Sequence, residues 1–171
     1  PVFIQVKGSR KVYDVAFAAA DTRSEVNQTN FSGFSNQQFV FKDNGDGSYC
    51  ITPVLSRVSN AAFDIEGGSG NNEARLIQFG LHSQNNQRFQ VMSADNGWFY
   101  LMNKNSAKVL SLAGGALADR TTLVQRTWDH GQDQMVRFIP TRDIPSVNSS
   151  YVLINAAINQ QLGSNAYGVV R

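Results

Sequence analysis

Asn36-Gln37-Gln38-Phe39-Val40-Phe41 returns fifty residues later as Asn86-Gln87-Arg88-Phe89-Gln90-Val91. A blurred third copy stands at Asp133-Gln134-Met135-Val136-Arg137-Phe138, so the spacings are 50 and 47 residues. Each copy closes a stretch of short apolar segments separated by turn residues. A motif recurring at one period implies a fold built by repeating one supersecondary unit.

Working outward, the first unit reads as four strands. Residues 2–6 and 11–15 are β-branched and aromatic, flank the turn cluster Lys7-Gly8-Ser9-Arg10, and are expected to form a hairpin. Residues 16–25 lack a 3.6-residue apolar stripe and read as a loop, followed by strands at 26–31 and 37–41. The second unit repeats the order: a turn at Asp43-Asn44-Gly45-Asp46-Gly47, a hairpin of 48–55 with 61–65, then strands at 74–81 and 87–91. The third opens at Asp95-Asn96-Gly97, pairs 98–103 with 108–112, mirrors Gly67-Gly68 with Gly114-Gly115, and ends with strands at 121–127 and 135–139. Twelve short strands with almost no helical pattern predict an all-β fold, closed into a barrel and capped by hairpins. Closure also removes exposed edges. The repeats run at about 1–42, 43–92 and 93–140.

Beyond them, Ser149-Ser150-Tyr151-Val152-Leu153-Ile154-Asn155 resembles the opening strands of units two and three. Residues 141–171 therefore read as a linker and partial fourth repeat. They are either the start of a second domain or an appendage covering the barrel or a partner chain.

The 171 residues suit one domain with a short extra piece, and 42% apolar residues suffice for a core. Only 16% of residues are charged, the net charge is +2, and no Lys/Arg cluster occurs. That balance argues against nucleic acid and for neutral, hydrogen-bonding partners. The single cysteine, Cys50, makes no internal disulfide and reads as a small buried residue. No apolar run reaches about 18 residues, so no membrane insertion by this segment is expected. No signal peptide is read; action outside the cell is favoured and the compartment stays open. The triplets starting at Asn27, Asn30 and Asn148 matter only in a glycosylating compartment. Two histidines, His82 and His130, have no nucleophile motif and no metal-ligand spacing. Asp43 to Gly47 lacks the alternating ligands and closing Glu of a calcium loop. No enzyme activity, cofactor or metal is expected.

The threefold unit ending in Gln-x-aromatic resembles the ricin-B-type lectins, also called R-type or QxW lectins, over about 140 of the 171 residues. The resemblance implies a β-trefoil, with Phe39 and Phe89 packed inside the barrel where the family commonly has Trp. The third unit departs, since Val136 follows Gln134 and the nearest aromatic is Phe138. The resemblance also implies a shallow sugar pocket on each competent unit. An early Asp bonds two sugar hydroxyls, an aromatic on the third strand stacks on the ring, and the Asn before the motif adds a bond. A carboxylate accepts short bonds from two hydroxyls at once, and a ring's apolar face suits an aromatic.

Carried over, the first unit offers Asp14, Asn36 and Gln37, and the second offers Asp64, Asn86 and Gln87. Each Asp precedes its Asn by 22 residues. The third has Ser111 at the Asp position and Asp133 at the Asn position, so that site is expected to be weak or dead. Candidates for stacking are Phe31 in unit one and Phe79 with His82 in unit two; Phe31 and Phe79 could equally be core residues by strand parity. Gln37 and Gln87 join the candidate site, although a purely structural backbone-bonding role fits them too. Asp14 and Asp64 bonding only turn amides is the competing reading.

The function implied is a carbohydrate-binding lectin, or the glycan-targeting module of a toxin or secreted protein. Galactose or N-acetylgalactosamine is what the resemblance implies. The alternatives are a protein-binding trefoil of the protease-inhibitor kind, acting through loops 16–25, 66–74 and 113–121, and a ligand-dead structural trefoil.

Overall fold

A computed structural model describes residues 1–19, 21–56 and 60–143; the strand expected at 149–155 lies outside them. Twelve strands follow in order: β1 (Val2–Val6), β2 (Val12–Val15), β3 (Val26–Thr29), β4 (Phe39–Asp43), β5 (Tyr49–Pro53), β6 (Ala61–Ile65), β7 (Leu76–Gly80), β8 (Phe89–Ser93), β9 (Phe99–Asn103), β10 (Val109–Leu112), β11 (Leu123–Arg126) and β12 (Val136–Pro140). The chain is an all-β β-trefoil.

Six strands, β1, β4, β5, β8, β9 and β12, close a barrel, sealed where β1 runs antiparallel to β12 from Val2↔Pro140 to Val6↔Val136. The other six form three hairpins, β2–β3, β6–β7 and β10–β11. Bridges Glu25↔Ile77, Asn27↔Thr122 and Arg75↔Val124 join these hairpins to one another as the cap.

The pairing differs from the expected hairpins. β1 meets β2 only at Gln5↔Val12, and β9 meets β10 only at Met102↔Val109. Consecutive first and second strands turn a corner from barrel to cap, because each carries residues for a different layer. The long hairpins instead cross the unit boundaries, as in β4–β5 and β8–β9. Gln37 and Gln87 also precede their strands, in the 3-10 turns Ser35–Gln37 and Asn85–Gln87.

Phe39 and Phe89 are fully buried and meet Phe63 at ring-centroid distances of 5.0 and 6.4 Å. The registers Val2↔Phe39, Tyr49↔Phe89 and Phe99↔Val136 put Val136 in the equivalent place of unit three. Phe138, 5.1 Å from Phe41 and 5.5 Å from Phe99, supplies that unit's aromatic bulk in the core. Burying each such ring stabilises the fold by about 1.5–3 kcal/mol. Cys50 is buried and unpaired, as expected. Asp43 to Gly47 is the β4–β5 turn, held by Gly45 N–H on Asp43 Oδ1 at 2.7 Å, with Asp46 paired to Arg88 and Lys104.

Candidate functional site

The registers Val12↔Thr29, Ala62↔Phe79 and Val109↔Arg126 superpose the three hairpins, and with them Asp14, Asp64 and Ser111 two residues on. Asp14 and Asp64 lie beside the 3-10 turns that carry Asn36-Gln37 and Asn86-Gln87, and Ser111 lies beside the turn at Asp133-Gln134. Two carboxylates are thereby brought to their motif amides, and a hydroxyl to the third.

In repeat 1, Asp14 Oδ2 accepts from Thr29 Oγ1 at 2.8 Å, Asn36 Nδ2 at 3.1 Å and Gln37 Nε2 at 2.9 Å. Its Oδ1 accepts no hydrogen bond among the described residues. The carboxylate is thus fixed through one oxygen and offers the other. Gln37 also donates to Asn30 O, and its own Oε1 accepts from Ser32 and Gly33 N–H. A buried amide with this many partners orients the acid and pins the turn. The acid opens into a pocket of about 270 Å³.

Repeat 2 repeats the plan. Gln87 Nε2 donates to Asp64 Oδ2 at 2.9 Å and to Gly80 O, and its Oε1 accepts from His82 and Ser83 N–H. Asn86 Nδ2 donates to Ile65 O at 3.2 Å. His82 Nε2 is 3.3 Å from Asp64 Oδ2. Its Nδ1 accepts from Gln84 N–H, so Nε2 carries the proton of the neutral ring and donates to the acid. Burial raises the Asp64 pKa above the usual carboxylate range, against the opposing pull of Gln87 and His82. Phe79 is half-buried on the wall of a pocket of about 330 Å³, with Arg23 5.7 Å from its ring centroid.

Repeat 3 is filled. Gln134 Nε2 donates to Ser111 Oγ at 3.1 Å in place of a carboxylate. Arg126, at the Phe79 position, donates to Leu112 O at 2.6 Å and to Asp133 Oδ2 at 2.9 Å. A Cβ on Gly131 would stand 2.6 Å from Asp133 Oδ1 and 2.8 Å from Asp129 Oδ1, so a larger residue there would displace these carboxylates. Arg126 and Asp133 thus pair across the positions that Phe79 and Asn86 hold in repeat 2.

Of the expected stacking residues, Phe79 and His82 line the repeat 2 pocket. Phe31 does not line the repeat 1 pocket. It lies past the end of β3 at Thr29, is 4% exposed, and packs edge-on against Phe3 at 4.7 Å in a small second core with Val12 and Ile139. Gln87 is likewise buried behind its acid rather than on the pocket wall.

The sequence reading missed the aromatics that do line repeat 1, Phe17 and Phe34, which are 81% and 64% exposed. Phe17 stands three residues after Asp14 with φ +57°, where repeats 2 and 3 have Gly67 and Gly114 at +69° and +59°. A bulky residue in the left-handed region costs about 1 kcal/mol or more. No core contact offsets that strain at 81% exposure. Aligning Phe17-Ala18 with Gly67-Gly68 and Gly114-Gly115 would have exposed the departure.

A second threefold set is also present in the sequence. Gln28, Gln78 and Gln125 recur at the motif's own spacings of 50 and 47. Each is buried and reaches across to another repeat. Gln78 Nε2 donates to Ala19 O at 2.8 Å and Asp21 O at 2.7 Å, and Gln125 donates to Ser69 O and Asn71 O at 2.8 Å each. Gln28 donates to Ala118 O at 2.7 Å. Their Oε1 atoms accept from Ser56, Ser106 and Ser9. Every pocket loop is therefore tied down by a glutamine of another repeat.

Among the described residues no group of three His, Cys, Asp or Glu side chains could hold a metal ion. No helix among them is long and apolar enough to cross a membrane.

The profile of the ricin-type β-trefoil lectin domain-like family matches residues 2–79, 35–126 and 85–167. Among solved structures, the chain is similar to the designed threefold-symmetric protein ThreeFoil, at 27% identity and TM-score 0.78, over 81% of this chain and 97% of that one. A mosquitocidal holotoxin matches at 22% identity and TM-score 0.73, over 81% of this chain but only 17% of the toxin. The Macrolepiota procera ricin B-like lectin, solved in complex with lactose, matches at 15% identity and TM-score 0.67, over 81% and 94%. No curated protein matches the sequence.

Proposed function

The chain belongs to the ricin-type β-trefoil lectin domain-like family, and from that premise we propose that it is a non-catalytic carbohydrate-binding module. It holds two sugar sites, on repeats 1 and 2, and a closed third. The observation that carries this reading is the Asp14 carboxylate: it lines an open pocket, three side chains hold one oxygen, and the other accepts no hydrogen bond among the described residues. Two adjacent sugar hydroxyls can donate to such an acid without any metal. Asp64 with Asn86, Phe79 and His82 gives the second site the same chemistry. Galactose or N-acetylgalactosamine is the ring this reading favours, since the Macrolepiota procera lectin with this fold was solved with lactose. Shallow sites bind weakly alone, and two on one chain gain avidity on a glycosylated surface. The match to part of a holotoxin supports a targeting role within a larger secreted protein. Loops 16–25, 66–74 and 113–121 contribute pocket walls here rather than a protease-binding surface.

A glycan array probed with the wild-type chain, Asp14→Ala and Asp64→Ala tests the assignment. Terminal galactose-type glycans should be retained, with each single variant weaker and the double variant silent. Array binding unchanged in the double variant overturns the site assignment, and no binding to any glycan overturns the function.

A further inference from the structure

The position five residues before each threefold glutamine projects toward the pocket of another repeat. Arg120, before Gln125, lines the repeat 1 pocket with its guanidinium 5.1 Å from the Phe17 ring centroid. Arg23, before Gln28, lines the repeat 2 pocket over Phe79. Glu73, before Gln78, is the corresponding residue of repeat 2 and faces Arg126 at 3.9 Å in the closed third site. The charge is thus positive over the two open pockets and negative over the one an arginine fills.

The two open pockets differ in what answers that charge. In repeat 2, Glu66 lines the pocket and places a carboxylate near Arg23, held there by two 3.0 Å hydrogen bonds from Arg75. Its counterpart in repeat 1, two residues after Asp14, is Ala16. Asp14 is the only carboxylate lining the repeat 1 pocket and Arg120 its only cation, exposed and in no ion pair among the described residues. The strained Phe17 holds its ring beneath this guanidinium. An arginine stacked on an aromatic face keeps its N–H edge directed outward, where a planar or trigonal oxyanion can take two bonds.

Resting on the reading that Asp14 binds a sugar ring, we propose that the repeat 1 site is selective for acidic glycans. The neutral ring is bound at Asp14 against Phe17 and Phe34, and a carboxylate or sulfate on or next to that ring is bound by Arg120. Repeat 2, with Glu66 beside its arginine, serves the neutral ring.

Isothermal titration of the Asp64→Ala chain, which isolates repeat 1, tests this with three probes: lactose, lactose sulfated on its galactose, and lactose carrying a sialic acid on its galactose. At least one acidic probe should bind about fivefold to twentyfold tighter than lactose at low salt, as a charge-assisted contact of this exposure allows. The arm that gains identifies carboxylate or sulfate as the group recognised. Adding Arg120→Gln should bring the acidic-to-neutral ratio to about one, and raising the salt should shrink the ratio only while Arg120 is present. Equal binding of all three probes, or a preference that survives Arg120→Gln, overturns the acidic selectivity and leaves the sugar site standing. Binding of none of them overturns both.

Discussion

Gln78→Ala should weaken both the fold and a sugar site that Gln78 does not touch. The side chain is fully buried in repeat 2, yet its amide donates to Ala19 and Asp21 carbonyls of repeat 1 and accepts from Ser56. The loop it holds carries Phe17 and Ala18 of the repeat 1 pocket. At about 1 kcal/mol per hydrogen bond, plus the cost of carbonyls left without a donor, the loss is roughly 2–4 kcal/mol. For a domain of this size that lowers Tm by roughly 6–15 °C. Urea unfolding followed by tryptophan fluorescence measures the stability, and titration of the Asp64→Ala background with lactose measures the repeat 1 site. Both should fall, with repeat 1 affinity several-fold weaker because loop 16–21 is no longer fixed. Gln78→Glu sharpens the test. Its carboxylate would face two carbonyls it cannot donate to while ionised, so its folded pKa is raised. The penalty is present above that pKa and is relieved as pH falls through it, whereas the alanine variant has no such pH dependence. A stability change under about 0.5 kcal/mol, or an unaltered repeat 1 affinity in a destabilised chain, refutes the view that glutamines brace neighbouring pockets.

Four further outcomes are expected. Burial holds the Asp64 pKa above the usual carboxylate range, so ionising it costs the fold above that pKa; Asp64→Asn should abolish repeat 2 binding while leaving neutral-pH Tm equal or higher, the advantage vanishing as pH falls through the raised pKa. Phe39→Ala should cost about 3–5 kcal/mol by opening the barrel core. Phe17→Gly should be neutral or stabilising by up to ~1 kcal/mol in thermal unfolding, since it relieves a left-handed φ, while weakening repeat 1 binding. Arg126→Ala should cost about 1–3 kcal/mol in denaturant titrations by leaving the Asp133 carboxylate unpaired, and should create no third sugar site in a lactose titration because Ser111 still replaces the acid.

Much of the fold is written in the period. The 50- and 47-residue spacings gave twelve strands, three repeats and Phe39 and Phe89 as core. The pairing partners were not legible, because the closure of β1 on β12 depends on barrel geometry rather than on local pattern. At the site, equal 22-residue separations singled out Asp14 with Asn36 and Asp64 with Asn86, and the structure brings Asp14 and Asn36 to 3.1 Å. Phe31 misled because it lies in the loop past the end of β3, where strand alternation no longer sets the direction of a side chain. Phe17 and Arg120 escaped notice because one lies at a glycine position and the other comes from a distant repeat, and only the cap brings them together.

The most direct test of the account is the number of lactose molecules bound per chain, measured by calorimetric titration. The wild type should bind two, Asp14→Ala and Asp64→Ala one each, and the double variant none while still unfolding cooperatively. A folded double variant that binds lactose with the wild-type stoichiometry would contradict the account.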